Sequence, residues 1–142
     1  MKNILLITLA LTQVTLAMGQ CKGFVKKNCG EAMGDYVPGE SFNAAKLFPG
    51  DVAEVDMTFI SEVDDRLLIC SHEMLGDIQF QLSDEEGEVL YDNADHDFKE
   101  SFDFRMEGTQ TMKLKLMVPE NEDSKINPQG CVAILLGRKL EE

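Results

Sequence analysis

Apolar and polar residues alternate in four stretches of the chain, within residues 52–60, 78–82, 102–106 and 112–118. A period of two places side chains on opposite faces of a strand, so each stretch is predicted as a β-strand with one dry and one wet face. Two continuous apolar runs, at residues 67–70 and 131–136, predict more deeply buried strands. The pattern is therefore that of an all-β protein rather than one of alternating strands and helices.

Turn-forming residues separate these stretches. Pro49-Gly50-Asp51 precedes the first strand, and residues 83–87 predict a hairpin loop with Gly87 available for positive φ, followed by a partner strand at 88–91. The chain thus predicts seven to eight strands at about ten-residue spacing. This favours an antiparallel β-sandwich, jelly-roll-like, in which two sheets pack through their apolar faces. A closed barrel is the alternative.

The segment before the first alternating stretch is less regular. Residues 21–39 are rich in Lys, Gly and Asn and predict a cross-linked extended arm or an irregular opening segment. Residues 41–48 fit either a short helical turn capped by Ser41 or a strand that ends at Pro49. We expect residues 20–50 to form an N-terminal arm or a first strand or short helix. Residues 51–142 are expected to form the sandwich body, with 20–142 a single domain.

The first nineteen residues have the three parts of an export signal. Lys2 supplies the positive start, residues 4–16 the apolar run, and Ala17-Met18-Gly19 the small residues of a cleavage site. The run is too short and too rich in threonine to favour a membrane span. Residues 1–19 are therefore predicted to be a signal peptide, and the protein to be secreted, periplasmic or in the cell envelope. Lipid anchoring at Cys21 is disfavoured, because Gln20 precedes it where a lipid-attachment motif needs a small residue.

Export places the four cysteines, Cys21, Cys29, Cys70 and Cys131, in an oxidising compartment. An even number predicts two disulfides, for which three connectivities exist. Closeness in sequence favours Cys21–Cys29, and the two apolar strands favour Cys70–Cys131. A disulfide-stapled fold is preferred over a structural zinc site, because C-x-x-C spacing is absent and only two histidines could assist.

The formal net charge of −13 affects the choice of partner. A chain this acidic repels nucleic acid and anionic membrane surfaces, so neither is expected as a partner. Basic proteins and cations remain compatible with it. We expect an extracellular or periplasmic protein or polysaccharide partner, of unknown identity.

The densest acidic cluster lies after the predicted hairpin. Its possible calcium ligands are Asp92, Asn93, Asp95 and Asp97, which supply oxygen atoms from what is expected to be a loop. Asp77 or Asp84 could add ligands from a neighbouring turn. EF-hand spacing is absent, and a solvated acidic loop is the alternative. Calcium is thus a candidate stabilising ion, and no other cofactor is indicated.

A resemblance to a known family lies between Gly76 and Val118. Residues 76–90 give an aspartate, a strand, an aspartate-x-x-glycine turn and a short apolar strand, and residues 110–116 supply a further core strand. This order resembles the central part of bacterial pre-peptidase C-terminal domains. The resemblance implies a secreted jelly-roll sandwich that accompanies peptidases and binds polymeric substrates, in some members with calcium. The four cysteines depart from that family. The whole chain is also similar to small secreted proteins of Bacteroidetes, which implies location only.

The chain contains no convincing catalytic constellation. Ser71 and His72 are adjacent, so a strand would point them to opposite faces, and no glycine-rich phosphate loop is present. The favoured function is a secreted, non-enzymatic binding or accessory domain. The alternatives are a small secreted hydrolase, an inhibitor of one with Pro119–Gln129 as its protruding loop, or a structural envelope component. Phe42, Leu47 and Phe48 could dock a protein partner or plug one end of the sandwich.

Overall fold

The computed structural model describes residues 21–40, 42–122 and 125–141. The predicted signal peptide, Gln20 and the predicted cap Ser41 lie outside the described residues. In the described part, helix α1 (Lys22–Asn28) precedes nine strands. The strands are β1 (Tyr36–Pro38), β2 (Asn43–Leu47), β3 (Val52–Phe59), β4 (Asp64–Ser71), β5 (Gln79–Ser83), β6 (Val89–Asp92), β7 (Ser101–Arg105), β8 (Gln110–Met117) and β9 (Gly130–Lys139).

The strands form two antiparallel sheets, which confirms the predicted sandwich. The first sheet runs β1-β9-β4-β7, with β2 also paired to β9, and the second runs β3-β8-β5-β6. The predicted number of strands, seven to eight, is lower than the nine described here because it did not include both short N-terminal strands, β1 and β2. Strand β9 is ten residues long, so it pairs with β2 over Gly130–Ile134 and with β1 over Gly137–Lys139.

The main core lies between the sheets and follows the predicted alternation. Leu114 and Leu116 of β8 and Phe80 and Leu82 of β5 are almost fully buried. They pack with residues of the other sheet in one cluster that includes Leu67, Ile69, Val132 and Ile134. The hairpin between β5 and β6 is present as predicted, with Gly87 at φ +86°.

A second core covers the outer face of the first sheet, where an extended or irregular arm was expected. Val25 of α1, Cys29 and Met33 pack against the β4 and β9 side chains Leu68, Cys70, Ala133 and Leu135. Strands β4 and β9 are thus buried on both faces, which explains their continuous apolar runs. Residues 22–28 form a short helix, one of the forms expected for residues 20–50, rather than an extended or irregular segment, because Val25 and its neighbours cover the apolar outer face of the sheet. The expected cross-linking of this segment is present.

Arg66 on the outer face of β4 holds the opening segment in place. Its guanidinium makes two hydrogen bonds to the Asp103 carboxylate, at 2.6 and 2.8 Å, and donates to the carbonyls of Ala32 and Met33. It also lies 4.5 Å from the ring centroid of Tyr36. The hydrogen bond from Arg66 lowers the pKa of the Asp103 carboxyl.

The two disulfides are present, but the favoured pairing was wrong. Cys21 bonds to Cys131 and Cys29 bonds to Cys70, with Cα atoms 5.7 and 5.8 Å apart. Cys21 and Cys29 flank the seven residues of α1, which keeps them apart. Each end of the helix is therefore bonded to a strand beneath it, and proximity along the chain was a poor guide.

Residues 43–47 form a strand, which settles the choice between helical turn and strand for this segment. The turn that follows is closed by the Asp51 carboxylate, which accepts from the backbone N–H of Phe48 at 2.8 Å, and Gly50 adopts φ +84°. This turn carries the chain from β2 in one sheet to β3 in the other. No helix among the residues described here is long and apolar enough to cross a membrane.

Candidate binding groove

The two long sides of the sandwich differ in how they are closed. On the side of β6 and β7, Tyr91 and Phe102 stack with ring centroids 3.8 Å apart. Phe102 stacks on Phe104, and Phe104 meets Phe59 edge-on at 4.9 Å. These rings fill the gap between the sheets. His96 adds an outer layer, stacked on Tyr91 at 5.0 Å.

The opposite side, between β2 and β3, remains open. A groove with a volume of about 480 Å³ runs there between the two sheets. It falls within the range of about 300–1,000 Å³ that is usual for ligand sites. Its lining is mainly aliphatic and comprises Phe42, Asn43, Ala44, Ala45, Leu47, Ala53, Val55, Leu116, Val132 and Ile134, with Lys22, Glu40 and Glu54 as its charged residues.

Small side chains at facing positions leave this groove open. Ala45 lies opposite Val132 in the β2–β9 ladder, and Ala53 lies opposite Leu116 in the β3–β8 ladder. Val132 and Leu116 belong to the inter-sheet core, so both alanines share its faces. A methyl group on each strand cannot span the gap that Tyr91 and Phe102 fill on the other side. The groove is therefore a consequence of register and residue size.

Strand β3 also presents one side of its backbone to this opening. It is the terminal strand of its sheet and pairs with β8 without a break from Val52 to Phe59. The carbonyl of Asp51 accepts from the N–H of Val118 at 2.9 Å. Because backbone groups in an antiparallel strand alternate in direction, the N–H and C=O groups of Val52, Glu54, Asp56 and Thr58 point away from β8.

The predicted calcium ligands are divided between structural and exposed positions. Asp92 accepts from Gln81 at 2.8 Å, from Ala94 N–H at 2.9 Å and, through both oxygens, from Gln79 at 3.1 Å. Burial by itself would raise the pKa of the Asp92 carboxyl, but these hydrogen bonds lower it overall. Asp95 and Asp97 are solvent-exposed.

Asn93 is fully buried and has a structural role that sequence reasoning missed. Its Oδ1 accepts from the N–H of Phe80 at 2.8 Å, and its Nδ2 donates to the carbonyls of Ile78 and Lys99. Within the described ranges no cluster of three or more His, Cys, Asp or Glu residues is arranged to hold a metal. Calcium binding by this loop stays a prediction.

Other residues singled out from the sequence lie in several places. Phe42 and Leu47 line the groove, and Phe48 is 37% exposed beside it. His72 accepts from the N–H of Met74 at 3.2 Å, which is a turn-capping role. The described residues of the Pro119–Gln129 loop form no strand or helix and are largely exposed. The groove itself was not predicted, although Ala45 and Ala53 on inward-facing positions were a signal for it.

No family model and no curated protein matches the chain, so the resemblance to pre-peptidase C-terminal domains stays a prediction. Among solved structures, the fold is similar to that of PliG from Aeromonas hydrophila, a periplasmic lysozyme inhibitor of g-type lysozyme. The TM-score is 0.43 at 7% identity, over 69% of this chain and 84% of that one.

Proposed function

We propose that this protein is an exported, non-enzymatic binding domain that holds a segment of a partner protein in the groove between β2 and β3. The observation that carries the proposal is the contrast between the two sides of the sandwich. One side is filled by the stack of Tyr91 and Phe102, and the other leaves an aliphatic groove of about 480 Å³. Burial of apolar side chains in such a groove is a favourable source of binding energy.

The chemistry of the groove supports a protein ligand over a polysaccharide. Sugar rings are usually bound on exposed aromatic platforms, and the chain has no tryptophan and only two tyrosines. Tyr91 is held between His96 and Phe102, and Tyr36 is covered by Arg66. The groove is lined instead by Ala, Val, Leu and Ile side chains, which suit apolar side chains of a polypeptide.

The same lining supports binding rather than turnover. Apart from Lys22, Glu40 and Glu54, the residues that line the groove have no ionisable group that could take or give a proton. The predicted signal peptide and the two disulfides support an exported location, because disulfides persist in oxidising compartments. In this proposal the accessory domain and the hydrolase inhibitor differ only in the identity of the partner.

A peptide-display selection on the mature, oxidised protein tests the proposal. Peptides selected by the wild-type protein should bind the variants Ala53→Phe and Ala45→Phe at least about tenfold more weakly, because a phenyl ring on either alanine occupies the groove. The matched control is Val89→Phe, which adds the same ring at an exposed position of β6. Equal binding of the selected peptides to wild type and Ala53→Phe, with both proteins folded by circular dichroism, would contradict the proposal.

A further inference from the structure

We infer that the segment bound in the groove is an extended peptide that alternates apolar with lysine or arginine side chains and adds to β3 as a fifth strand of the second sheet. This inference rests on the proposed function and specifies the partner's chemistry. It joins three features of the same place: an unpaired strand edge, an apolar groove beneath it, and carboxylates on its outer face.

The unpaired edge is the first feature. Among the strands described, none lies beside the outward backbone groups of Val52, Glu54, Asp56 and Thr58, since β2 belongs to the other sheet. These groups form a row of donors and acceptors. An extended peptide satisfies such groups by forming main-chain hydrogen bonds, which is how β-strand addition gains affinity.

Strand β3 is also the least protected of the sheet edges. It pairs over eight residues without a register shift. Strand β6, at the other edge of the same sheet, has four residues, and its ladder to β5 shifts register between Leu82 and Ser83. In the first sheet, β1 has three residues and contains Pro38, and β2 and β7 have five residues each. Long, regular edges are the ones that accept another strand.

The groove supplies a place for every second side chain of the added strand. Side chains alternate between the two faces of a strand, so one set would point between the sheets and the other outward. The inward set would meet Ala45, Ala53 and Val55 in the groove. Apolar residues are therefore expected at alternate positions of the peptide, and the aliphatic lining favours valine, leucine or isoleucine over a charged residue, whose desolvation would be costly.

The outward set would lie beside carboxylates. Glu54 and Asp56 lie on the outer face of β3, and the Glu54 side chain remains 49% exposed although it lies 3.7 Å from Lys113 Nζ. Lysine or arginine at the outward positions would pair with them across the strands. The net charge of −13 adds a long-range attraction for a basic segment.

The same carboxylates disfavour a second copy of this chain as the occupant. Two β3 strands paired antiparallel about Val55 would place Glu54 of one copy directly opposite Asp56 of the other. Like charges directly opposite each other destabilise a strand pair. Edge charges of this kind prevent self-association while leaving the edge open to a strand of opposite charge.

Synthetic peptides test the inference, with binding to the mature protein measured by fluorescence anisotropy. An eight-residue peptide alternating valine and lysine should bind, and one alternating valine and glutamate should bind at least about tenfold more weakly. The double variant Glu54→Lys/Asp56→Lys should reverse this preference. The control Asp95→Lys/Glu100→Lys makes the same change in net charge at two exposed positions between β6 and β7, at the opposite edge of the sandwich, and should leave the preference unchanged.

Backbone methylation separates strand addition from simple groove binding. N-methylation of every second amide removes donors on one side of the peptide, so one set should abolish binding and the other should be tolerated. If both methylated peptides bind equally well, the peptide does not add to β3 as a strand, and the inference is overturned. If their binding is then lost in Ala53→Phe, they still occupy the groove, and the proposed function is retained. Failure of the valine–lysine peptide to bind wild type also overturns the inference, and the display selection then decides the proposed function separately.

Discussion

Tyr91 and Phe102 stack at a centroid distance of 3.8 Å and an interplanar angle of 19°, and together they join the edge strands of the two sheets. The stack closes the side of the sandwich opposite the groove. Burial raises the pKa of the Tyr91 phenol, with a further increase from the neighbouring Asp92 carboxylate. The two long sides of the sandwich thus differ: aromatic rings fill one side, and alanines line the groove on the other.

The aromatic stack should contribute strongly to stability. Phe102→Ala removes a ring that contacts both Tyr91 and Phe104, and it should lower the free energy of unfolding by about 3 kcal/mol through lost burial and the cavity left behind. Urea denaturation at neutral pH measures this. Val89→Ala, at an exposed site on β6, serves as the control and should change stability by less than about 0.5 kcal/mol. A loss below about 1 kcal/mol for Phe102→Ala would contradict the structural role.

The disulfide pattern gives a chemical test of the fold. Digestion without reduction, followed by mass spectrometry, should recover the pairs Cys21–Cys131 and Cys29–Cys70. The Cys29–Cys70 disulfide joins residues separated by 41 positions in the sequence. Its removal by Cys29→Ser/Cys70→Ser should therefore lower the free energy of unfolding by about 4 kcal/mol in the chain-entropy model. Recovery of a peptide linking Cys21 to Cys29 would show that α1 does not lie where we describe it.

Asp65 should make the protein less stable as the pH rises. It is 2% exposed, burial raises the pKa of its carboxyl despite Arg138 at 3.6 Å, and its Oδ2 has no hydrogen-bond partner among the residues that the structure describes. Because the folded-state pKa lies above the unfolded one, the folded protein binds the proton more tightly. That contribution to stability is complete below the unfolded pKa and is lost as pH rises through the folded pKa.

The variant Asp65→Asn removes the buried carboxylate and with it the loss of stability at neutral pH. It should be more stable than wild type at pH 7, and the gain should shrink as the pH falls toward the unfolded value, near 3.8. Thermal unfolding between pH 3 and pH 8 gives the comparison. Asp64→Asn, which removes a carboxylate at a neighbouring but half-exposed position, is the matched control, and at pH 7 the gain from Asp65→Asn should exceed any change that it causes. A lower melting temperature for Asp65→Asn at pH 7 would argue against this assignment.

Asn93 should be essential for the packing of the acidic loop on β5. Asn93→Ala leaves the N–H of Phe80 and the carbonyl of Ile78 buried without their side-chain partner, at a cost of about 3 kcal/mol. Asp95→Ala in the same loop is exposed and should change stability by less than about 0.5 kcal/mol. Similar unfolding midpoints for the two variants in chemical denaturation would be inconsistent with the buried amide described here.

The predicted calcium site is tested by thermal unfolding in EDTA and in millimolar calcium, with magnesium as the control ion. If the loop binds calcium, the melting temperature rises with calcium alone, since a ligand that binds only the folded state stabilises it by mass action. Asp95→Asn/Asp97→Asn should remove that rise while leaving stability in EDTA unchanged. Coincident curves in calcium and EDTA would reject the calcium prediction.

The sequence pattern alone was sufficient to predict those strands in which apolar and polar residues alternate regularly. Val55, Phe80, Leu114 and their neighbours at period two identify one dry face each, and two such sheets can bury those faces only against each other. The hairpin loop around Gly87 follows from turn chemistry that acts over a few residues. These features depend on local preference and burial, which are legible along a single chain.

Contacts between residues far apart in the chain were decided by the tertiary structure. Cys29 bonds to Cys70 because α1 covers β4, and nothing near Cys29 in the sequence indicates that cover. The groove likewise depends on Ala45 and Ala53 lining the same opening from two different sheets, since each alone is an ordinary small residue on a strand. Sequence patterns state which face of an element is buried, but which surface buries it depends on the packing of the whole chain.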